Sequence, residues 1–193
     1  MRSEINMKRI WTTASVLAAI ALSAAGLPGE APAQSGWLQD GAPVKDMPSV
    51  ASSGDFGVMQ IATTDSDKLV AEWLKPTPGV TVETSTQTPR NQPIVTFIVF
   101  KGCRADASGN CNVTVDYETL DPTGKSYDVT KAAEVWVGRP PAPDNNLQLS
   151  VSGLGLIIED KDPLGAYLVR AAVTDHVAGI TLRTEQTLTA VAK

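Results

Sequence analysis

The sequence predicts an all-β fold, a two-sheet antiparallel β-sandwich with one short helix near the N-terminus of the domain. Three observations predict it. Seven or eight short apolar segments follow one another between Val80 and Leu188, divided by Gly, Pro, Asp and Asn, a spacing that indicates a two-sheet sandwich. One of them, Ile94 to Phe100, is apolar on both phases except at Thr96, as in a central strand buried on both sides or partly facing a partner. Only one stretch, after Asp65, carries a helical period.

Taken in order, the chain opens with Arg2, Lys8 and Arg9 against Glu4, then an uncharged run from Ile10 to Ala25. That run falls short of the roughly 20 apolar residues that span a bilayer. Gly26, Pro28 and Gly29 break it, and Ala31-Pro32-Ala33 supplies the small residues a signal peptidase reads. These features predict a secretory signal peptide over 1–33, with no membrane span after cleavage. Gln34, where a lipoprotein would have Cys, argues against a lipid anchor there. Residues 34–54, rich in Gly, Pro, Ser, Ala and Asp without a period, read as a flexible lead-in, which leaves 55–193 as the domain.

Phe56, Val58 and Gln60 open a first strand. Asp65-Ser66-Asp67 then starts a helix whose face is Leu69, Val70, Trp73 and Leu74, ended by Pro76 and Pro78-Gly79. It is expected to cover one end of the sandwich. Thr81 to Thr84 alternates weakly, and Val113, Val115 and Tyr117 alternate with Thr114, Asp116 and Glu118 as in a half-buried strand. Asp121-Pro122-Thr123-Gly124 is a turn. Val135–Val137, Leu147–Val151 and Leu156–Ile158 give three further short strands.

Asp162-Pro163-Leu164-Gly165-Ala166-Tyr167, followed by Val169, Ala171 and Val173, leads into a hairpin that returns through Ile180 and Leu182 to Leu188. This motif resembles the tyrosine corner of immunoglobulin-like sandwiches, in which the phenol bonds back to the backbone. The resemblance covers roughly 90–188 and marks Asp162, Gly165 and Tyr167 as the corner. The strand B to strand F cysteine pair of true immunoglobulin domains is absent, which points to a fibronectin-III-like or bacterial relative. Together with Glu72-Trp73, Gly102-Cys103 and Gly109-Asn110-Cys111, the pattern is similar to uncharacterised secreted β-sandwich proteins of Gram-negative bacteria. That resemblance implies the periplasm or the cell surface and brings no activity with it.

Without residues 1–33 the chain keeps 13 Lys and Arg against 19 Asp and Glu, a net charge of about −6. An acidic domain without a basic stripe is a poor match for nucleic acid, where affinity comes largely from phosphate neutralisation, and for anionic lipid. Cys103 and Cys111 are expected to form a disulfide in an oxidising compartment, clamping a hairpin loop. Seven intervening residues and no neighbouring third Cys or His fit neither a zinc site nor a C-x-x-C redox pair.

The sole histidine, His176, has Asp175 too close in sequence to orient it as in a Ser-His-Asp triad. Ser152-Gly153-Leu154-Gly155 is neither a nucleophile elbow nor a phosphate loop. Asp106, Ser108 and Asn110 present oxygens at alternate positions like the start of a calcium loop. They lack its terminal Glu, and a hairpin tip uses the same residues. No cofactor and no metal are therefore expected. Trp136, on the opposite phase to Val135 and Val137, should face outward beside Arg139, Pro140 and Pro141 and make a contact surface for a protein or a glycan, with an envelope or surface protein as the expected partner. The sequence thus favours an exported non-enzymatic binding module or accessory part of an envelope assembly. The alternatives are a pilus-type subunit, which the unpatterned 34–54 segment disfavours, or a carbohydrate-binding module or hydrolase with an unrecognised site.

Overall fold

The computed structural model describes residues 38–39, 42–43, 47–75, 82–143 and 146–193. The signal peptide expected over 1–33 and the prolines expected to end the helix lie outside them. The two-residue strands β1 (Leu38–Gln39) and β2 (Ala42–Pro43) pair with each other. The remaining strands form two sheets. The first contains β3 (Val50–Ser53), β4 (Phe56–Thr63), β6 (Pro93–Lys101), β9 (Gln148–Leu149) and β10 (Leu154–Ile157), in the order β10-β6-β4-β3 with β9 also on β6. The second contains β5 (Gln87–Pro89), β7 (Cys111–Leu120), β8 (Ser126–Arg139), β11 (Gly165–Asp175) and β12 (Ile180–Val191), in the order β5-β12-β11-β7-β8. Every pairing is antiparallel except that of β5 with β12.

Strand alternation builds the main core. Ile94, Ile98 and Phe100 of β6 and Val58 and Ala62 of β4 face Val113, Val115 and Tyr117 of β7 and Tyr167, Val169, Ala171 and Val173 of β11. The opposite phase of β6, Val95, Phe97 and Val99, joins Ile61, Leu149, Leu69 and Trp73 in a second cluster. This explains why Ile94–Phe100 is apolar on both phases: helix α1 (Ser66–Trp73) covers the outer face of the first sheet and not an end of the sandwich. Asp65 caps α1 by accepting from Lys68 N at 3.0 Å. Leu69 is buried and Trp73 half-buried against the sheet, whereas Val70 is exposed and Leu74 is 75% exposed.

Two further expectations change. The lead-in over 34–54 is not wholly unstructured, because Val50–Ser53 pairs with Phe56–Met59 as an edge strand, so the sandwich begins before residue 55. Residues 82–85 form no strand, and β5 takes the edge position on β12 instead. Main-chain bonds also join the two sheets at both sides. Glu185 N donates to Pro48 O at 2.7 Å on one side, and Val151 N to Val135 O at 3.1 Å on the other.

Candidate functional site

The surface singled out in the sequence is built by bulges in β8. Val113 pairs with Trp136 and Thr114 with Glu134, so Val135 is an extra residue; Asn112 pairs with Val137 and Cys111 with Arg139, so Gly138, at φ +65°, is another. Such insertions break strict alternation. As a result Val135 and Trp136 both point towards the core while Val137 turns outward. Trp136 is therefore half-buried and does not face out as its phase suggested. Its ring lies 5.7 Å from that of Phe100, and its Nε1 donates to Pro140 O at 2.9 Å. The Arg139 guanidinium sits 5.3 Å above the indole and 3.8 Å from Glu134 Oε1, within cation–π range. Arg139, Pro140 and Pro141 are exposed, and the indole holds the Arg139 guanidinium and the Pro140 carbonyl.

Beside Arg139 stands the disulfide of Cys103 and Cys111. It does not clamp a hairpin. The segment it closes leaves β6 in the first sheet and enters β7 in the second, so the bond staples a crossover between sheets, with both cysteines buried. Within that segment Asp106 Oδ1 accepts from Ser108 N (2.8 Å), Ser108 Oγ (2.6 Å) and Asn110 N (3.1 Å). The Ser108 hydroxyl, then the amides, hold the Asp106 carboxyl below its ordinary range. These oxygens serve the turn's own donors. Asp121, Thr123 and Lys125 repeat the same arrangement in the β7–β8 turn, at 2.8, 2.7 and 3.0 Å. The recurrence of Asp-x-Ser/Thr-Gly-x in two loops identifies a turn module. Among the described residues no group of three His, Cys, Asp or Glu could hold a metal ion.

Sequence reasoning missed Asp175. It is fully buried, and its carboxylate accepts from Arg104 N at 2.7 Å, Val177 N at 3.0 Å and Ala178 N at 3.1 Å. It thus ties the stapled crossover to the β11–β12 turn. His176 is exposed, and its Nε2 lies 2.8 Å from Thr114 Oγ1, so the Asp175–His176 dipeptide is not arranged as a catalytic pair. Gly153 has a packing reason: a Cβ there would come within 2.7 Å of Val95 Cγ1.

At the other end, Tyr167 Oη donates to Pro163 O at 2.8 Å. Tyr127 of β8, unmarked in the sequence, meets the Tyr167 ring edge-on with centroids 5.3 Å apart and donates to Asp162 Oδ2 at 2.8 Å. Gly165, at φ +130°, lies where a Cβ would press on Pro122 at 3.3 Å. Asp162 also accepts from Glu159 N through Oδ2 and from Arg90 through its carbonyl.

The outer face of the second sheet carries a shallow groove of about 430 Å³ lined by Asp116, Glu118, Lys131, Arg170, Arg183 and Glu185 among others. Arg170 bridges Glu185 at 3.0 Å and Glu118 at 3.5 Å, and Lys131 pairs with Asp116 at 3.1 Å. Exposed pairs of this kind contribute little each.

No family model matches the chain, and no curated protein matches it. Among solved structures it is similar to a family 123 glycoside hydrolase from Clostridium perfringens, described for its glycolipid glycan hydrolysis. The TM-score is 0.37 and the identity 10%, over 70% of this chain and 27% of that one. So loose a likeness carries no argument about activity.

Proposed function

We propose that the chain is an exported, non-enzymatic β-sandwich module of immunoglobulin-like kind that works in the periplasm or at the cell surface by binding another envelope protein. The contact surface is Val137, Arg139, Pro140 and Pro141, set around Trp136. The observation that carries this reading is the locked indole, held by Phe100, Pro140 O and Arg139. An aromatic and arginine pair fixed before binding loses little freedom on association, and these residue types dominate the energetics of protein interfaces.

Several features support the remaining parts of the reading. Strand order, the short parallel β5–β12 edge and the bond from Tyr167 back to Pro163 fit an immunoglobulin-like arrangement. A buried disulfide suits an oxidising compartment, and no helix among the described residues is long and apolar enough to cross a membrane. His176, Asp175 and both cysteines are engaged by Thr114, backbone amides and each other. The long β8 edge is bulged at four places, which disfavours the strand addition of a pilus-type subunit.

The test is cross-linking to an envelope fraction with wild type, Arg139→Glu and Val137→Asp, after matched urea midpoints show intact folds. Both variants should lose the protein that wild type captures. Equal capture by Arg139→Glu contradicts the proposal.

A further inference from the structure

Six side-chain oxygens between the sheets have no hydrogen-bond partner among the described residues: those of Gln60 (Oε1), Thr96, Tyr117, Thr119, Thr184 and Gln186 (Oε1). All but Gln186 belong to residues no more than 2% exposed. They are not scattered. Tyr117 and Thr184 flank Ala171 in one rung across β7, β11 and β12, while Thr119 and Gln186 flank Val169 two residues along. From the facing sheet Gln60 Nε2 reaches Val169 O at 3.4 Å, and Thr96 lies two residues from Gln60's partner Ile98 on the same face of β6. Both sheets therefore present polar atoms to one layer of the core.

Unpaired buried oxygens each carry a desolvation penalty, and several together would weigh heavily against the marginal stability of a domain. Polar sites buried in proteins are filled by water making about three hydrogen bonds per molecule, whereas apolar cavities stay dry. We propose that this layer is an internal hydration site, in which buried water bridges Gln60 and Thr96 of the first sheet to Tyr117, Thr119 and Thr184 of the second. At about three bonds per water, the five bridged oxygens and that of Gln186 correspond to about two water molecules.

The test uses the intact folded chain and its variants Thr119→Val and Thr184→Val, which keep the side-chain shape and exchange a hydroxyl for a methyl. Water–protein nuclear Overhauser spectra of the wild type should show long-lived water beside Thr119, Thr184 and Ala171. Each variant should lose the cross peaks at its own position and unfold at a lower urea midpoint, because the water loses a partner. A dry layer gives the opposite result: the same replacements remove an unpaired hydroxyl, and the midpoints rise. Absence of long-lived water contacts in the wild type overturns the proposal whatever the midpoints do.

Discussion

Replacing Tyr167 by Phe tests the corner that joins β10 to β11. The ring is fully buried and meets Tyr127 edge-on, so Phe keeps its packing. What is lost is the 2.8 Å bond to Pro163 O. A neutral hydrogen bond contributes about 0.5–1.5 kcal/mol net, and a buried acceptor left unpaired costs more. Pro163 itself is exposed, so water can reach its carbonyl once the hydroxyl is gone, and the loss should be about 1 kcal/mol. With an m-value of about 2 kcal/mol/M, the urea midpoint falls by about 0.5 M at unchanged slope. For a domain of this size the thermal midpoint falls by about 2–4 °C. Tryptophan fluorescence and far-UV circular dichroism should give coincident curves. An unchanged midpoint would mean that the hydroxyl is solvated and the corner plays no part in holding the connection.

Further outcomes follow from other parts of the structure. Native protein should release no thiol to a thiol reagent until it is denatured and reduced, and replacing both cysteines by Ser should lower stability by about 2.5 kcal/mol, as expected for a short closed loop; two reactive thiols in the native protein would contradict the staple. Asp175→Ala removes the acceptor of three backbone N–H groups, and with bonds to a charged group worth about 1.5–3 kcal/mol each the loss should exceed about 3 kcal/mol; a loss below about 1 kcal/mol in urea would refute the assigned role. The Tyr127 hydroxyl, then the Glu159 amide, hold the Asp162 carboxyl below its ordinary range, so its contribution is present above the unfolded pKa of about 3.9 and lost as pH falls through the depressed folded value. Urea midpoints of wild type and Tyr127→Phe should therefore differ most at neutral pH and draw together below pH 4, and a gap independent of pH would assign the bond no electrostatic part.

The two-sheet fold was legible because burial dictates side-chain period, and β6, β7 and β11 each carry the period of the surface they meet. The apolar outer phase of β6 and the amphipathic Leu69–Trp73 pair were both visible, but which covers which depends on a long-range contact. What pattern could not reveal was register. The insertions at Val135 and Gly138 decide that Trp136 points inward, and in the sequence only the glycine marks them. Val50–Ser53 is held by main-chain pairing at an edge, and its small side chains show no alternation. The cysteine spacing indicated a closed loop correctly, yet whether that loop is a hairpin or a crossover depends on which sheet receives β7. The corner motif was readable as far as Tyr167, whereas Tyr127 enters it from 40 residues upstream. Asp175 was visible only as the neighbour of His176, although an Asp just before a turn ending in Gly179 is the common acceptor for such a turn's amides.

Whether function lies in a surface and not in chemistry is decided by assaying wild type, His176→Ala and Arg139→Glu side by side. Each is measured for capture of the envelope partner and for hydrolysis of generic ester, peptide and glycan substrates. No turnover is expected from any of them, with full capture by His176→Ala and loss of capture by Arg139→Glu. Turnover by the wild type that disappears with His176 would contradict that expectation.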